Sequence, residues 1–236
     1  MYRLLLIIAL ALLSACAPMS LPSPAPAAVG GSEAQVRANR AARQFVEVVQ
    51  TVEPLAEREC RKRTTGMNCD FQIVVDDRAD LAPNAFQTED RYGRPILAFN
   101  IGMINSVRNA DELAFVMGHE AAHHIQDHLA KTRESATIGA VVFAGIAAIS
   151  GAEAEAVRNA QELGAAVGAR TYSKEFELEA DQLGTIIAYR AGYDPVNGAK
   201  FFGRIPDPGN KFLGSHPPNA ARMQIVRDTA AALAGQ

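Results

Sequence analysis

His119, Glu120 and His123 are the residues whose types and spacing most directly suggest chemistry. Two histidines four apart share one face of a helix, with Cβ atoms roughly 5–6 Å apart, so their ring nitrogens can converge on a single ion. Zinc accepts such a pair readily. Glu120 is rotated away from the pair yet can lean over an open coordination position, where a general base for bound water should stand. The five residues form the HExxH pattern, whose chemistry is metal-assisted hydrolysis. A catalytic zinc commonly takes three protein ligands, so a third must come from elsewhere in the chain.

The segment 171–184, TYSKEFELEADQLG, is the candidate source of that third ligand, the alternative for such an acidic run being a solvated helix surface. It carries Glu175, Glu177, Glu179 and Asp181 on a helix that also presents Phe176, Leu178 and, just beyond, Ile186. Glu177 and Asp181 are four apart and share a face. One carboxylate can therefore bind a metal while the other orients a ligating histidine through its second ring nitrogen. A further histidine, His216, sits in GSHPPNAAR at a loop-to-helix junction, because Pro217 or Pro218 can occupy a first helical turn.

The elements that must position these groups follow from periodicity. Leu113, Met117, Ala121, Ile125 and Leu129 repeat every four residues, with Val116 completing an apolar stripe, so HExxH is expected on one helix running past Leu129. A helix over 33–62 buries Phe45, Val48, Val49 and Val52, and Pro54 is expected to break or kink it. Strands are expected at 71–76, 84–87 and 95–100, the last at a sheet edge because Pro95 cannot donate to a ladder. Such an edge beside a cleft can receive an extended peptide. The uncharged segment 136–150 reads as a buried helix paired with a second helix over 153–169, forming an inserted hairpin; a membrane-dipping role is the alternative. The fold class is α+β and mostly helical, with a small sheet.

Composition excludes little beyond one partner class. The chain has 236 residues, a hydrophobic content of 48% and a formal net charge of −3, with no dense basic block, so nucleic acid is not an expected partner. Residues 1–15 carry Arg3 and then LLLIIALALL, which reads as a secretory signal too short for a confident transmembrane helix. Leu13-Ser14-Ala15-Cys16 resembles the lipobox of bacterial lipoproteins, after which Cys16 becomes the lipidated N-terminus. Ala17 lacks the aspartate that retains such proteins in the inner membrane, so that resemblance implies the outer membrane. Residues 16–32 form an anchor and a Pro/Ala/Gly/Ser-rich tether, leaving 33–236 as the folded domain. In an oxidising compartment Cys60 and Cys69, bracketing a short loop, are a candidate disulfide; thiolate metal binding is the rival, although the CxxC pairs of a zinc ribbon are missing.

Taken together, His119-Glu120-x-x-His123, Glu177-x-x-x-Asp181 and His216-Pro217 followed by Arg222 resemble the motifs of the HtpX/BepA-like zinc metallopeptidases, relatives of the CAAX prenyl proteases, and in particular their small periplasmic lipoprotein members. The resemblance spans roughly residues 84 to 225. It implies a zincin-like domain with one zinc held by His119, His123 and Glu177, with Glu120 as base and Asp181 supporting the ligand shell. His128 falls where several relatives carry a histidine, and a structural hydrogen bond is its expected role. Lys174 departs from the arginine that many relatives have there, and lysine lacks the planar fork for a bidentate contact. His216 is expected either to donate to the tetrahedral oxyanion or to serve as a fourth, latency-enforcing zinc ligand. Arg222 is expected to form a salt bridge that fixes its loop. The activity implied is endoproteolysis of misfolded or unassembled envelope proteins. The rival is an assembly lipoprotein that binds outer-membrane proteins, with minor or latent proteolysis.

Overall fold

The computed structural model describes residues 32–78, 81–206 and 217–235. Cys16 and His216 lie outside the described residues.

Helix α1, Glu33–Arg63, starts at Ser32, whose hydroxyl accepts from the Gln35 amide, and buries Phe45, Val48, Val52, Leu55, Ala56 and Cys60 along one face. Pro54 does not break it. Both Pro54 and Gln50, whose carbonyl loses its helical partner, are exposed, so water can satisfy what the proline removes. The helix ends at Thr64, and a disulfide between Cys60 and Cys69, with Cα atoms 5.7 Å apart, ties its last turn to the chain entering the sheet.

The sheet has three strands, β1 (Gln72–Asp76), β2 (Ala85–Glu89) and β3 (Pro95–Asn100), in the order β1-β3-β2. β1 runs parallel to β3 with Gln72 opposite Ile96, and β2 runs antiparallel to it with Ala85 opposite Phe99. The expected edge strand 95–100 is therefore the central strand. Pro95 is its first residue, a position where a missing N–H costs little, and Leu97, Ala98 and Phe99 are buried. β1 and β2 are the edges instead.

Asn100 links sheet to helices. Its side-chain oxygen accepts from the amides of Met103, at the start of α2 (Ile101–Ser106), and of Asn84, while its amide nitrogen donates to the Ala82 carbonyl. Helix α3, Ala110–Ile125, is capped by Asn109 and is buried almost throughout. It ends earlier than its apolar period suggests. Asp127 takes a left-handed conformation (φ 58°), turning the chain so that a new helix, α4 (His128–Ile149), starts at once. Leu129 therefore belongs to α4 and does not continue the α3 stripe.

α4 and α5 (Ala154–Thr171) form an antiparallel hairpin, turned at Gly151 (φ 78°). Backbones approach closely along it: a Cβ on Gly139 would lie 2.1 Å from the Gly164 carbonyl oxygen, and one on Gly168 would lie 2.1 Å from that of Ser135. The hairpin is present as expected, but α4 is not buried; His128 is its only buried residue. Composition showed that 136–150 is apolar, but what packs on it is a tertiary fact.

α6 (Ser173–Arg190), α7 (Pro195–Gly198), a 3-10 turn (Ala199–Arg204) and α8 (Asn219–Ala234) complete the described fold. α3 and α6 cross at Gly118 and Gly184. A Cβ on Gly184 would lie 2.8 Å from the His119 amide nitrogen and 2.9 Å from its Cα, so only two glycines let these backbones meet. That crossing sets HExxH against the acidic run.

Candidate metal centre and its cleft

His119 and His123 occupy the last two turns of α3, and Glu177 the first turns of α6. The three converge. His119 Nε2 and His123 Nε2 are 3.0 Å apart, His119 Nε2 is 3.5 Å from Glu177 Oε2, and His123 Nε2 is 3.4 Å from Glu177 Oε1. A tetrahedral zinc with bonds of about 2.0–2.2 Å requires ligand-to-ligand edges of about 3.3–3.6 Å; the histidine-to-glutamate separations fall in that range, the two nitrogens need to part by only about 0.3 Å, and the N/N/O donor set fits that ion. Among the described residues no other three His, Cys, Asp or Glu side chains converge in this way.

Each histidine is held from behind. Asp181 Oδ1 lies 2.9 Å from His119 Nδ1, and Asp181 is fully buried. Arg222 in turn donates from Nε and a terminal nitrogen to the two Asp181 oxygens, both at 2.7 Å, lies 3.3 Å from Glu177 Oε2 and rests 3.8 Å over the Phe202 ring. Arg222 thus fixes the carboxylate that fixes the ligand. The expected salt bridge exists, and its partners are carboxylates of the site.

On the other side, His123 Nδ1 is 2.9 Å from His128 Nδ1, and His128 Nε2 is 3.0 Å from Glu179 Oε2. Burial pushes the His128 pKa down to about 4 against the opposing pull of Glu179, so the ring is neutral at pH 7. One assignment satisfies every atom: His123 donates from Nδ1, His128 accepts there and donates from Nε2, and Glu179 accepts. His123 Nε2 is then left with its lone pair facing the metal position. The His128 ring also stacks on Phe176, with centroids 4.5 Å apart. Sequence reasoning singled out His128 without its partners and passed over Glu179 as one of several acidic residues; spacing within α6 carries no signal of what faces it from α4.

In the metal-free site, burial acts to lower the His119 pKa, but the hydrogen bonds to Asp181 and then Glu177 outweigh it and hold the pKa at about 10. The Asp181 and Glu177 carboxylates thus favour positive charge at the His119 position. His124, the residue between, points the other way, its Nε2 2.7 Å from the Asn68 carbonyl oxygen and its ring edge-on to Phe71. It is an anchor of α3 to the disulfide loop.

The centre opens into a cleft of about 630 Å³. Glu120, half-buried, lines it beside the ligands. One wall is β2, through Ala85, Phe86 and Gln87; the floor is apolar, with Phe115, Phe201 and Phe202. The root of the hairpin, Leu129 and Thr132, lines it as well.

The sequence over residues 42–230 matches the model of peptidase family M48. The chain belongs to peptidase family M48. Its M48 domain is the metal-dependent hydrolase fold of that family. It is 27% identical over 144 residues to the Beta-barrel assembly-enhancing protease of Escherichia coli, covering 52% of this chain and 28% of that protein. It is 34% identical over 139 residues to a Vibrio cholerae protein carrying a provisional form of the same name, covering 56% and 28%. It is also 26% identical over 169 residues to the Mitochondrial metalloendopeptidase OMA1 of Saccharomyces cerevisiae, covering 67% and 46%. The chain thus spans about a quarter to a half of the length of these relatives.

Proposed function

We propose that this chain is a zinc endopeptidase of the bacterial cell envelope, with His119, His123 and Glu177 holding the ion and Glu120 as general base. The observation that carries the reading is the convergence of three side chains, the two histidine Nε2 atoms 3.0 Å apart and each within 3.5 Å of one of the two Glu177 oxygens, backed by Asp181 and Arg222 on one side and His128 and Glu179 on the other. Bound zinc would lower the pKa of a coordinated water toward about 7 and polarise a carbonyl. Glu120 takes the proton from the attacking water and returns it to the leaving amine. Asp181 and His128 keep both histidines in the tautomer that leaves Nε2 free. Phe202 and Arg222 both line the cleft, the guanidinium carbon 3.8 Å from the ring centroid.

The substrate is an extended segment of polypeptide. β2 is the cleft-side edge of the sheet, its backbone pairs on one side with β3, and Phe86, Phe115 and Phe201 offer apolar surface beside it. The N-terminal signal, the lipobox ending at Cys16 and the tether support an outer-membrane lipoprotein facing the periplasm, with residues 33–236 as the peptidase domain. Misfolded or unassembled envelope proteins fit that location, and the relatives named for β-barrel assembly favour outer-membrane β-barrel chains among them. The decisive experiment is Glu120→Gln, which retains zinc by metal analysis while cleavage of an unfolded protein substrate disappears; cleavage at the parent rate refutes the mechanism. Replacing His216 with alanine lowers cleavage if His216 donates to the oxyanion and raises it if His216 is a latency ligand.

A further inference from the structure

The outer face of α4 is the largest apolar feature that the catalytic reading leaves unused. Ile138, Val141, Val142, Ile146 and Ile149 follow one another at helical spacing, and all are exposed, Val141 by 68% and Ile149 by 91%. No Asp, Glu, Lys or Arg occurs from Ser135 to Ala152. A contiguous exposed apolar stripe marks an interaction surface. It is also held rigid, because the glycine contacts at Gly139, Gly164 and Gly168 lock α4 to α5.

We infer that this stripe lies in the plane of a lipid surface, with α4 against the membrane and α5 toward water. The inference rests on the lipid-anchor reading of Cys16. The 16 chain steps from Cys16 to Ser32 can reach at most about 55 Å, and a Gly/Ser-type linker of that length averages about 20–24 Å. An anchor on that leash keeps the domain within about its own diameter of the bilayer, so lipid is the apolar surface the stripe meets at the highest effective concentration. α4 as a whole is long and apolar enough to cross a membrane, but its charge distribution favours lying on one. The uncharged part of α4 from Ser135 to Ile149 rises about 22 Å, short of the roughly 30 Å hydrocarbon core, and α5 would carry Glu155, Arg158 and Glu162 in with it. One-sided contact leaves those groups wet. The hairpin from His128 to Thr171 carries four basic residues (Lys131, Arg133, Arg158, Arg170) and four acidic ones (Glu134, Glu153, Glu155, Glu162), so the contact is apolar in origin and does not require anionic lipid. Leu129 and Thr132, at the root of the same helix, line the cleft, so a hairpin lying on lipid holds the mouth of the centre beside the membrane.

The chain contains no tryptophan, which makes the test direct. The full chain bearing Val141→Trp and, as reference, one bearing Tyr92→Trp at the exposed β2-β3 turn are mixed with phosphatidylcholine vesicles. The Val141→Trp emission shifts to the blue and is quenched severalfold more than that of Tyr92→Trp when the lipids are brominated. An unshifted Val141→Trp in protein that nevertheless floats with the vesicles overturns the inference while leaving the anchor intact. A blue emission that depends on protein concentration and not on lipid overturns it in favour of a second copy of the chain. Intact mass without an acyl group on Cys16 sinks the anchor reading, and the Val141→Trp response then decides the lipid contact by itself.

Discussion

Glu179→Gln tests whether the hydrogen-bonded series behind His123 tunes the metal centre. The substitution keeps an oxygen that can accept from His128 Nε2 but removes its charge. A carboxylate at a ligating histidine's back typically contributes 10–100-fold in metal affinity. Glu179 acts through His128 and its side chain is 47% exposed, so solvent screens it and the lower end applies. About a tenfold rise in the zinc dissociation constant is expected, equivalent to about 1.4 kcal/mol. His128→Phe leaves the His123 Nδ1 hydrogen without an acceptor in a largely buried place and should cost closer to a hundredfold. Asp181→Asn removes a charge from a fully buried position and should exceed Glu179→Gln for the same reason. Competition against a chromophoric zinc chelator at fixed pH gives the constants, with far-UV circular dichroism confirming the fold. Affinities of Glu179→Gln and His128→Phe within twofold of the parent would refute the argument, as would an effect of Glu179→Gln larger than that of Asp181→Asn.

Three further outcomes follow from the same geometry. Gly184→Ala sets a Cβ against backbone atoms of His119, which cannot yield as a flexible side chain would; separation of α3 and α6 should cost about 1–3 kcal/mol by urea denaturation and weaken zinc binding, because the ligands sit on both helices. The metal-free protein should lose stability as pH rises: the His119 pKa of about 10 lies above its ordinary 6.5, so the stabilisation is complete below about 6.5 and vanishes through about 10, while apparent zinc affinity gains up to about tenfold per pH unit over that window as the competing proton leaves. Replacing Cys60 and Cys69 together with alanine should lower stability by about 2–3 kcal/mol, the chain-entropy value for a loop of about ten residues, measured by denaturation against the oxidised parent.

Much of the centre was legible before any coordinates because its ligands repeat at a helical interval. His119 and His123 advertise one another at four residues, and Glu177 and Asp181 do the same on a second helix. What joins the two helices left weaker traces. Gly118 and Gly184 read as ordinary helix-weakening residues until the crossing shows why no side chain fits. Glu179 was hidden among carboxylates of the same helix. Pro54 suggested a break because the rule for helix interiors ignores which side faces water, and Pro95 suggested an edge because the rule for strands is relaxed at a first residue. The burial of 136–150 failed for another reason: apolar composition states what a surface avoids, not what covers it.

The left-handed residue at Asp127 has an engineering corollary. Along an unbroken helix, positions five apart face about 140° away from each other, so His123 and His128 could never meet. They touch only because the chain stops, turns once and begins again. A sequence optimiser scoring local propensity would favour repairing that interruption, merging α3 and α4 into one rod. The result would be a better helix and a poorer enzyme, with the hairpin pointing in a new direction and His123 deprived of its acceptor.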